Sequence, residues 1–259
     1  MSIDPNTPNL ARMYDYMLGG KDNLAVDRDA VDRLVAHIPA TVPTARANRA
    51  FLRRAVRHLA AAGVRQFLDL GSGLPTQGNV HEIVREVSPG AGVVYVDHDP
   101  VVAAHARTLL AEAGRVAFVQ ADLLRPAELL AGPEVTGLLD LAEPVGVLLV
   151  SMLHFIQDAD DPQGVVKILR DALAPGSYLV LTHAVATRSR EAEKGPKKVY
   201  RGSATGRTQE EIRAFFGDFE LVEPGLVAVT DWRPDDHLLV GEAPLPGYLL
   251  AGAARKPPG

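Results

Sequence analysis

Residues Gln66 to Gly73, QFLDLGSG, decide how this chain folds. Phe67, Leu68 and Leu70 form a short apolar run with an acid, Asp69, set inside it, and the run stops at two glycines one residue apart. That pattern reads as a buried parallel strand feeding a tight glycine turn. Glycine at positions 71 and 73 removes the Cβ atoms that would hold a ligand off the backbone, and it permits positive φ. Downstream, Asn79 and Glu82 stand at capping-box spacing ahead of Val80, Ile83, Val84 and Val87, which predicts a helix. Strand, glycine turn and helix make the first half of a nucleotide-binding βαβ unit, although DxGxG also occurs in turns that bind nothing.

The 259 residues suit one α/β domain with an added segment. A net charge of −5 gives no reason to expect a nucleic-acid partner. The chain has no cysteine, which excludes disulfides, thiolate nucleophiles and cysteine-ligated metals. It shows neither a basic-plus-apolar leader nor an apolar run of about eighteen residues, so a cytoplasmic protein without membrane contact is expected.

Ahead of the first strand lie about sixty residues that read as helical. Leu10, Met13, Tyr14, Met17 and Leu18 recur at helical spacing up to Gly19-Gly20, a C-cap signal. A second helix carries Val26, Ala30, Val31, Leu34, Val35 and Ile38 on one face. A third, between Pro43 and Gly63, turns Phe51, Leu52, Ala55, Val56 and Leu59 inward and Arg46, Arg49, Arg53 and Arg57 outward; the arginines read as a solvated face. Residues 1–63 are therefore expected to be a helical cap or lid segment, and 64–259 the main domain.

Beyond Gly73 strands and helices alternate: strands over Gly92–Val96, Val116–Gln120, Val145–Val150 and Tyr178–Thr182, helices over Val101–Ala113 and Val165–Leu173. Such alternation predicts a parallel, doubly wound sheet with right-handed crossovers. After His183 the pattern changes to a polar stretch whose Lys194, Lys197, Lys198 and Arg201 read as a solvated loop. Thr208 then caps a helix, and late strands at Phe219–Val222, Leu226–Val229 and Tyr248–Ala251 suggest a hairpin that ends the sheet.

In open parallel sheets ligands sit beyond the carboxyl ends of the strands. The first strand end offers Gly71, Ser72 and Gly73; the second offers Asp97, His98 and Asp99; the third offers Asp122 and Leu123; the fourth offers Ser151, Met152 and His154. An acid 26 residues past Gly71 is placed to take both hydroxyls of a ribose. A second acid able to accept from an exocyclic amine, with apolar walls from Leu123 and Met152, suits an adenosine.

These residues resemble class I S-adenosylmethionine-dependent methyltransferases. DLGSG at Asp69–Gly73, VYVDHDP at Val94–Pro100 and QADL at Gln120–Leu123 are similar to that superfamily's first three motifs, and VGVLLVSMLHFI at Val145–Ile156 and LAPGSYLVLTH at Leu173–His183 to its fourth and fifth strands. More narrowly, NLARMYDYMLGGKDN at Asn9–Asn23, with DLGSGLPTQGNVHE and EPGLV at Glu223–Val227, resembles an actinobacterial methyltransferase family long catalogued as a domain of unknown function. The resemblance implies a Rossmann-like α/β fold with seven mostly parallel strands in the order 3-2-1-4-5-7-6, the last antiparallel, and an N-terminal helical extension. It implies S-adenosylmethionine as cofactor, with Gly71, Ser72 and Gly73 at the methionine portion, Asp97 on ribose, Asp122 and Leu123 at adenine, His98 beside the ring and Ser151 at the cofactor's edge. Where many relatives carry a third glycine this chain has Pro75.

The function expected is methyl transfer by in-line displacement to an unidentified acceptor, a small molecule. A hydroxyl or amine acceptor needs its proton removed, and His154 is the candidate base, with His183 second. Tyr14, Lys21 and Asn23 are candidates to reach the cofactor if the Gly19-Gly20 turn folds over the site. No metal is expected: Asp158, Asp160 and Asp161 read as helix-start charge, and Asp231, Asp235, Asp236 and His237 as a polar turn. Two other readings stay open. One is a non-catalytic protein that binds S-adenosylmethionine or S-adenosylhomocysteine as a sensor. The other is an NAD-dependent oxidoreductase, which expects G-x-G-x-x-G, whereas position 76 is Thr76.

Overall fold

The computed structural model describes residues 4–75, 78–109, 114–186, 204–235 and 248–258. Thr76, the lysines of the polar stretch with Arg201, and Asp236 with His237 lie outside the described residues, as do the last four residues expected in the Val101–Ala113 helix.

Three helices come first: α1 Leu10–Met17, α2 Ala25–His37 and α3 Thr41–Ala61. Asn9 caps α1 by accepting from Arg12 N, and Gly19 follows at φ 82°, the left-handed stop that glycine allows. The pair α1–α2 closes over a small cluster of Met13, Ala30 and Val31, locked by a buried ion pair between Arg12 and Asp27 at 2.6 Å.

Helix α3 behaves differently from a detachable cap. Its Phe51, Leu52, Ala55, Val56 and Leu59 join one core with Phe67, Val93, Leu148 and Val180 of the sheet, so packing is continuous across residue 63.

The sheet is built on β1 Gln66–Leu70, paired in parallel with β2 Gly92–Asp97 and, on its other side, with β4 Gly146–Val150. Strand β3 Val116–Gln120 lies outside β2, and β5 Tyr178–Ala184 outside β4. The long closing strand β8 Leu249–Arg255 runs antiparallel to β5. Two short strands, β6 Glu220–Leu221 and β7 Val227–Ala228, both pair with β8 at different points along it. The order is β3-β2-β1-β4-β5-β8-β6. It is the expected order with β8 in the seventh strand's place. The difference is that the expected hairpin is a broken edge, interrupted between Leu221 and Val227 by a turn at the cis Glu223-Pro224 bond.

Alternation along β1 sends Leu68 and Leu70 to the face covered by α6 Pro126–Leu130, α7 Pro133–Thr136, α8 Pro162–Ala172 and α9 Gln209–Ala214. Phe67 goes to the opposite face, beneath α3, α4 Val80–Arg85 and α5 Pro100–Leu109. By the same parity Asp69 faces α3 and α4, opposite Tyr95 in the β1–β2 register. Burying an acid there puts a polar demand on that side of the glycine turn. Among the described residues no helix is long and apolar enough to cross a membrane.

Candidate active site

The glycine turn closes onto β2. Gly71 N and Ser72 N both donate to Val96 O, at 2.8 and 3.1 Å. Gly71 and Gly73 hold φ 77° and 65°, which L side chains rarely adopt. A Cβ on Gly71 would lie 2.0 Å from Met152 Sδ, whereas one on Gly73 would meet nothing within 4 Å. Bare backbone at Gly73 thus faces open space beside the strand ends, the cradle a ligand needs.

Asp97 ends β2 with its side chain about one-tenth exposed. Its oxygens accept from Gly73 N and Asp99 N, each at 3.0 Å. Burial raises its pKa, and these two backbone donors oppose the shift. A carboxylate has about four acceptor sites, so roughly two stay open for the vicinal hydroxyls of a ribose. The neighbouring strand is tied to the same point, since Ala121 N donates to Asp97 O at 3.1 Å. Asp122 is exposed and accepts from Leu124 N at 2.9 Å, Leu123 is buried beside it, and His98 is exposed with Nδ1 3.6 Å from Asp97 Oδ1.

At the end of β4, Ser151 adopts φ 59°, a left-handed geometry unusual for a residue with a side chain. Its N–H donates to Thr182 Oγ1 at 2.8 Å, Thr182 donates to Asn48 Oδ1 at 2.8 Å, and Asn48 Nδ2 donates to Tyr14 Oη at 2.9 Å. This chain runs from β4 through β5 to α3 and α1. Tyr14 Oη also donates to Ala45 O at 3.2 Å, so the phenol's polar end is used within the helices.

His154 sits in the 3₁₀ turn Leu153–Phe155, buried, with Nδ1 lacking a hydrogen-bond partner among the described residues. Burial, then the charges of His183 and Arg207, push its pKa down to about 3. His183 is fully occupied: Nδ1 donates to Ala184 O at 2.8 Å, which makes Nε2 the acceptor from Arg207 Nη1 at 2.8 Å. Arg207 also donates to Leu153 O, Ile156 O and Asp158 Oδ1, fixing the segment that follows β4. Asp161 caps α8 through Gly164 N.

The N-terminal helices overhang this edge. Asn9 donates a side-chain hydrogen bond to Asp99, Ala11 packs on Leu74, Val101 and Val102, and Asp22 lies 3.8 Å from His105. Asn23 donates to Asp15 Oδ2 and Gly20 O, at 2.9 and 3.0 Å, and Lys21 is exposed.

A small cavity of about 10 Å³ opens behind the glycine turn, with Arg49, Asp69, Ser72, Gly73, Pro75 and Tyr95 in its wall. Sequence reasoning put Arg49 on a solvated face, and the structure corrects this. Arg53 and Arg57 pair with Glu86 at the end of α4, and Arg46 is exposed. One turn earlier the same stripe passes the start of α4, so Arg49 is half-buried in the cavity wall with Asn79 and Val80. Burial pushes Asp69 up to about 7, against the opposing charge of Arg49. Asn48 and Arg207 were also missed. Both stand in polar sequence, Asn48 between Ala47 and Arg49 and Arg207 between Gly206 and Thr208, which gives no signal of a buried role.

A glycine turn of positive φ, a carboxylate held by backbone donors at the end of the next strand and the sheet order together mark a class I S-adenosylmethionine-dependent methyltransferase. The chain belongs to the S-adenosyl methyltransferase family, whose model matches residues 1–257. It is similar to the crystal structure of a candidate methyltransferase from Thermobifida fusca, at 45% identity and TM-score 0.89, covering 97% of this chain and 96% of that one. A DUF574-family protein from Streptomyces avermitilis is 41% identical, with TM-score 0.89 and coverage of 99% and 100%. An O-methyltransferase family protein from Burkholderia thailandensis shares the fold at 16% identity and TM-score 0.52, covering 80% of this chain and 55% of that one. No curated protein matches the chain.

Proposed function

We propose that the protein methylates a small-molecule hydroxyl or amine, with the cofactor laid along the ends of β1, β2 and β3. The observation that carries this reading is Asp97, fixed by Gly73 N and Asp99 N beside an open glycine backbone. Gly71, Ser72 and Gly73 would hold the methionine portion, Asp97 the ribose, Asp122 and Leu123 the adenine with His98 beside it, and Ser151 the cofactor's edge. When bound, S-adenosylmethionine supplies a methyl group on a sulfonium, whose in-line displacement needs orientation and exclusion of water more than charge stabilisation.

His154 is the group placed to take the acceptor's proton. Its ring is neutral at pH 7 because burial disfavours the cation, and Nδ1 has no hydrogen-bond partner among the described residues. A base this weak does not ionise an alcohol ahead of transfer. With a hydroxyl acceptor it takes the proton as the methyl group arrives, when the oxygen has become strongly acidic; a neutral amine attacks through its lone pair and its product releases the proton to water. The segment from α1 to Asn23 acts as a lid over the β2 side of the edge. Tyr14 and Asn23 support it through the bonds they make to Ala45, Asn48, Asp15 and Gly20, and Lys21 lies exposed on its turn.

The test is calorimetry on purified protein with S-adenosylmethionine, S-adenosylhomocysteine and NAD, repeated with Asp97→Ala. Binding of both adenosyl ligands, weakened at least about tenfold in the variant, is expected from the loss of charge-assisted hydrogen bonds. Preference for NAD would overturn the reading. Turnover that depends on an added acceptor separates catalysis from binding alone.

A further inference from the structure

We infer that Arg207 is a positioning residue for His154: its guanidinium clamps the carbonyls that flank the histidine's turn and locks the neighbouring His183 in a tautomer that cannot share a proton with it. The inference rests on the reading of His154 as the group that takes the acceptor's proton.

The clamp comes from a segment about fifty positions further along the chain. Its backbone is anchored at the end of β5: Arg207 N donates to Ala184 O at 3.2 Å, and Arg207 O accepts from Ala186 N at 2.9 Å. Gly206 permits the approach, since a Cβ there would lie 2.9 Å from Ala186 Cα. From this anchor the side chain crosses to the turn that follows β4. Nη1 donates to Leu153 O and His183 Nε2, at 2.9 and 2.8 Å, and Nη2 donates to Ile156 O and Asp158 Oδ1, at 2.9 and 2.6 Å. Each of these nitrogens carries two hydrogens, so all are used. Thr205 adds a bond from its N–H to His154 O at 2.6 Å and one from its hydroxyl to Gln157 Oε1 at 3.0 Å. The carbonyls of Leu153, His154 and Ile156 are thus held from one segment, which leaves the imidazole between them little freedom to turn.

Packing alone does not call for a cation here. The Arg207 side chain is 6% exposed while that of its partner Asp158 is 78% exposed, so the positive charge is buried and the negative one is not. Burying a charge is costly, and an apolar side chain would fill the space without that cost. What the guanidinium adds is command of His183. Arginine has no acceptor, so His183 Nε2 must accept and Nδ1 must keep the proton it donates to Ala184 O. Both nitrogens are committed, although the two imidazoles meet edge to face with centroids 5.6 Å apart. A proton taken at His154 therefore has no route inward through His183. The groups whose charges bear on His154 are His183 and Arg207, with Asp158 bonded to the guanidinium and Glu211 of α9 acting on His183; burial and the Arg207 charge both favour the neutral His154 ring.

The test reads the ring nitrogens of His154 and His183 by nitrogen-15 NMR. Wild type should show His183 as the Nδ1–H tautomer alone. In Arg207→Met the His183 midpoint should rise by about one pH unit or more and the single tautomer should become a mixture, while His154 resonances broaden or split as its turn loosens. Arg207→Lys, which keeps the charge but reaches only part of the acceptor set, should preserve the His183 tautomer and still loosen His154. It carries the test if the methionine variant does not fold. Affinity for S-adenosylhomocysteine should change less than about threefold in both. Unaltered His154 resonances in either variant would overturn the clamp, and an unaltered His183 tautomer in Arg207→Met would overturn the lock. Methyl transfer to a panel of simple phenols separates the inference from the reading beneath it. His154→Gln and Arg207→Met should each lower kcat at pH 7 by at least about tenfold, with KM for S-adenosylmethionine within about threefold. A normal kcat in His154→Gln sinks the base and the positioning role with it, whereas a normal kcat in Arg207→Met beside a slow His154→Gln sinks the positioning role alone.

Discussion

Replacing Asp69 with Asn should stabilise the protein more at pH 8 than at pH 5. Asp69 is 6% exposed, and burial lifts its pKa from 3.8 to about 7. The unfolded chain gives up this proton near pH 4, whereas the folded chain keeps it to near pH 7. Between those values the native state binds more protons, so stability falls as pH rises, by up to about 1.4 kcal/mol per pH unit. Integrated from pH 5 to pH 8, the wild-type penalty grows by at most about 3 kcal/mol, and the asparagine variant escapes it. His154 and His183, with pKa pushed down to about 3 and about 4, give the opposite slope. They stay neutral in the fold while the unfolded chain protonates them below about pH 6.5. Subtracting the variant's stability from the wild type's at each pH cancels both. The assay is urea unfolding followed through Trp232, the chain's one tryptophan, fully buried against Phe51. A stability difference that is the same at pH 5 and pH 8 would refute the reasoning, because it would mean that Asp69 is already ionised in the fold at pH 5.

Two further outcomes follow from the hydrogen-bond network. Asn48→Ala removes the acceptor of the buried Thr182 hydroxyl and the donor to the half-buried Tyr14, and should cost about 2–4 kcal/mol in urea unfolding, against about 1 for Tyr14→Phe; a loss under about 0.5 kcal/mol would show that the chain carries no load. Imidazole proton resonances of His154 and His183 should not titrate between pH 5 and pH 8, and a midpoint near 6 for either ring would contradict the burial and bonding described for it.

The sheet was legible because the central strands β1, β2, β4 and β5 had to bury apolar residues on both faces, and such runs stand out between helices. QFLDL and VGVLLV could hardly be anything but central strands, and the residues after them fell where parallel topology places them. The late strands were harder to read. β6 and β7 have two residues each, and their pairing depends on β8, which comes more than twenty residues later. The role of Arg49 was illegible for a different reason. Periodicity gives the angle of a side chain about the helix axis, and Arg46, Arg49, Arg53 and Arg57 share one stripe. It does not say what lies beside each turn of that stripe. Glu86 lies beside two of them, and the glycine-turn cavity beside Arg49. His154 was found by position alone, and its burial depends on Arg207 and on Thr205 N, which donates to His154 O from a segment about fifty residues away.

Adjacent positions on α3 tie the two halves of the edge together. Successive helical residues point about 100° apart. Asn48 uses its direction to bond Thr182 and Tyr14, and Arg49 uses the next to enter the cavity wall. A rotation of α3 that withdrew Arg49 would break the Asn48–Thr182 bond and free Thr182 from the helix, leaving Ser151 N bonded to a hydroxyl no longer held in place. The orientation of α3 is thereby coupled to the left-handed turn at Ser151, at the end of β4. The two bonds of Asn48, one buried and one part-buried, at about 1 kcal/mol each are enough to bias such a rotation, since 1.4 kcal/mol already shifts an equilibrium tenfold. It follows that a substitution at Asn48 will loosen the turn at Ser151 even though Asn48 does not line the cavity, whereas a substitution at Arg49 should have little effect on the Thr182 bond.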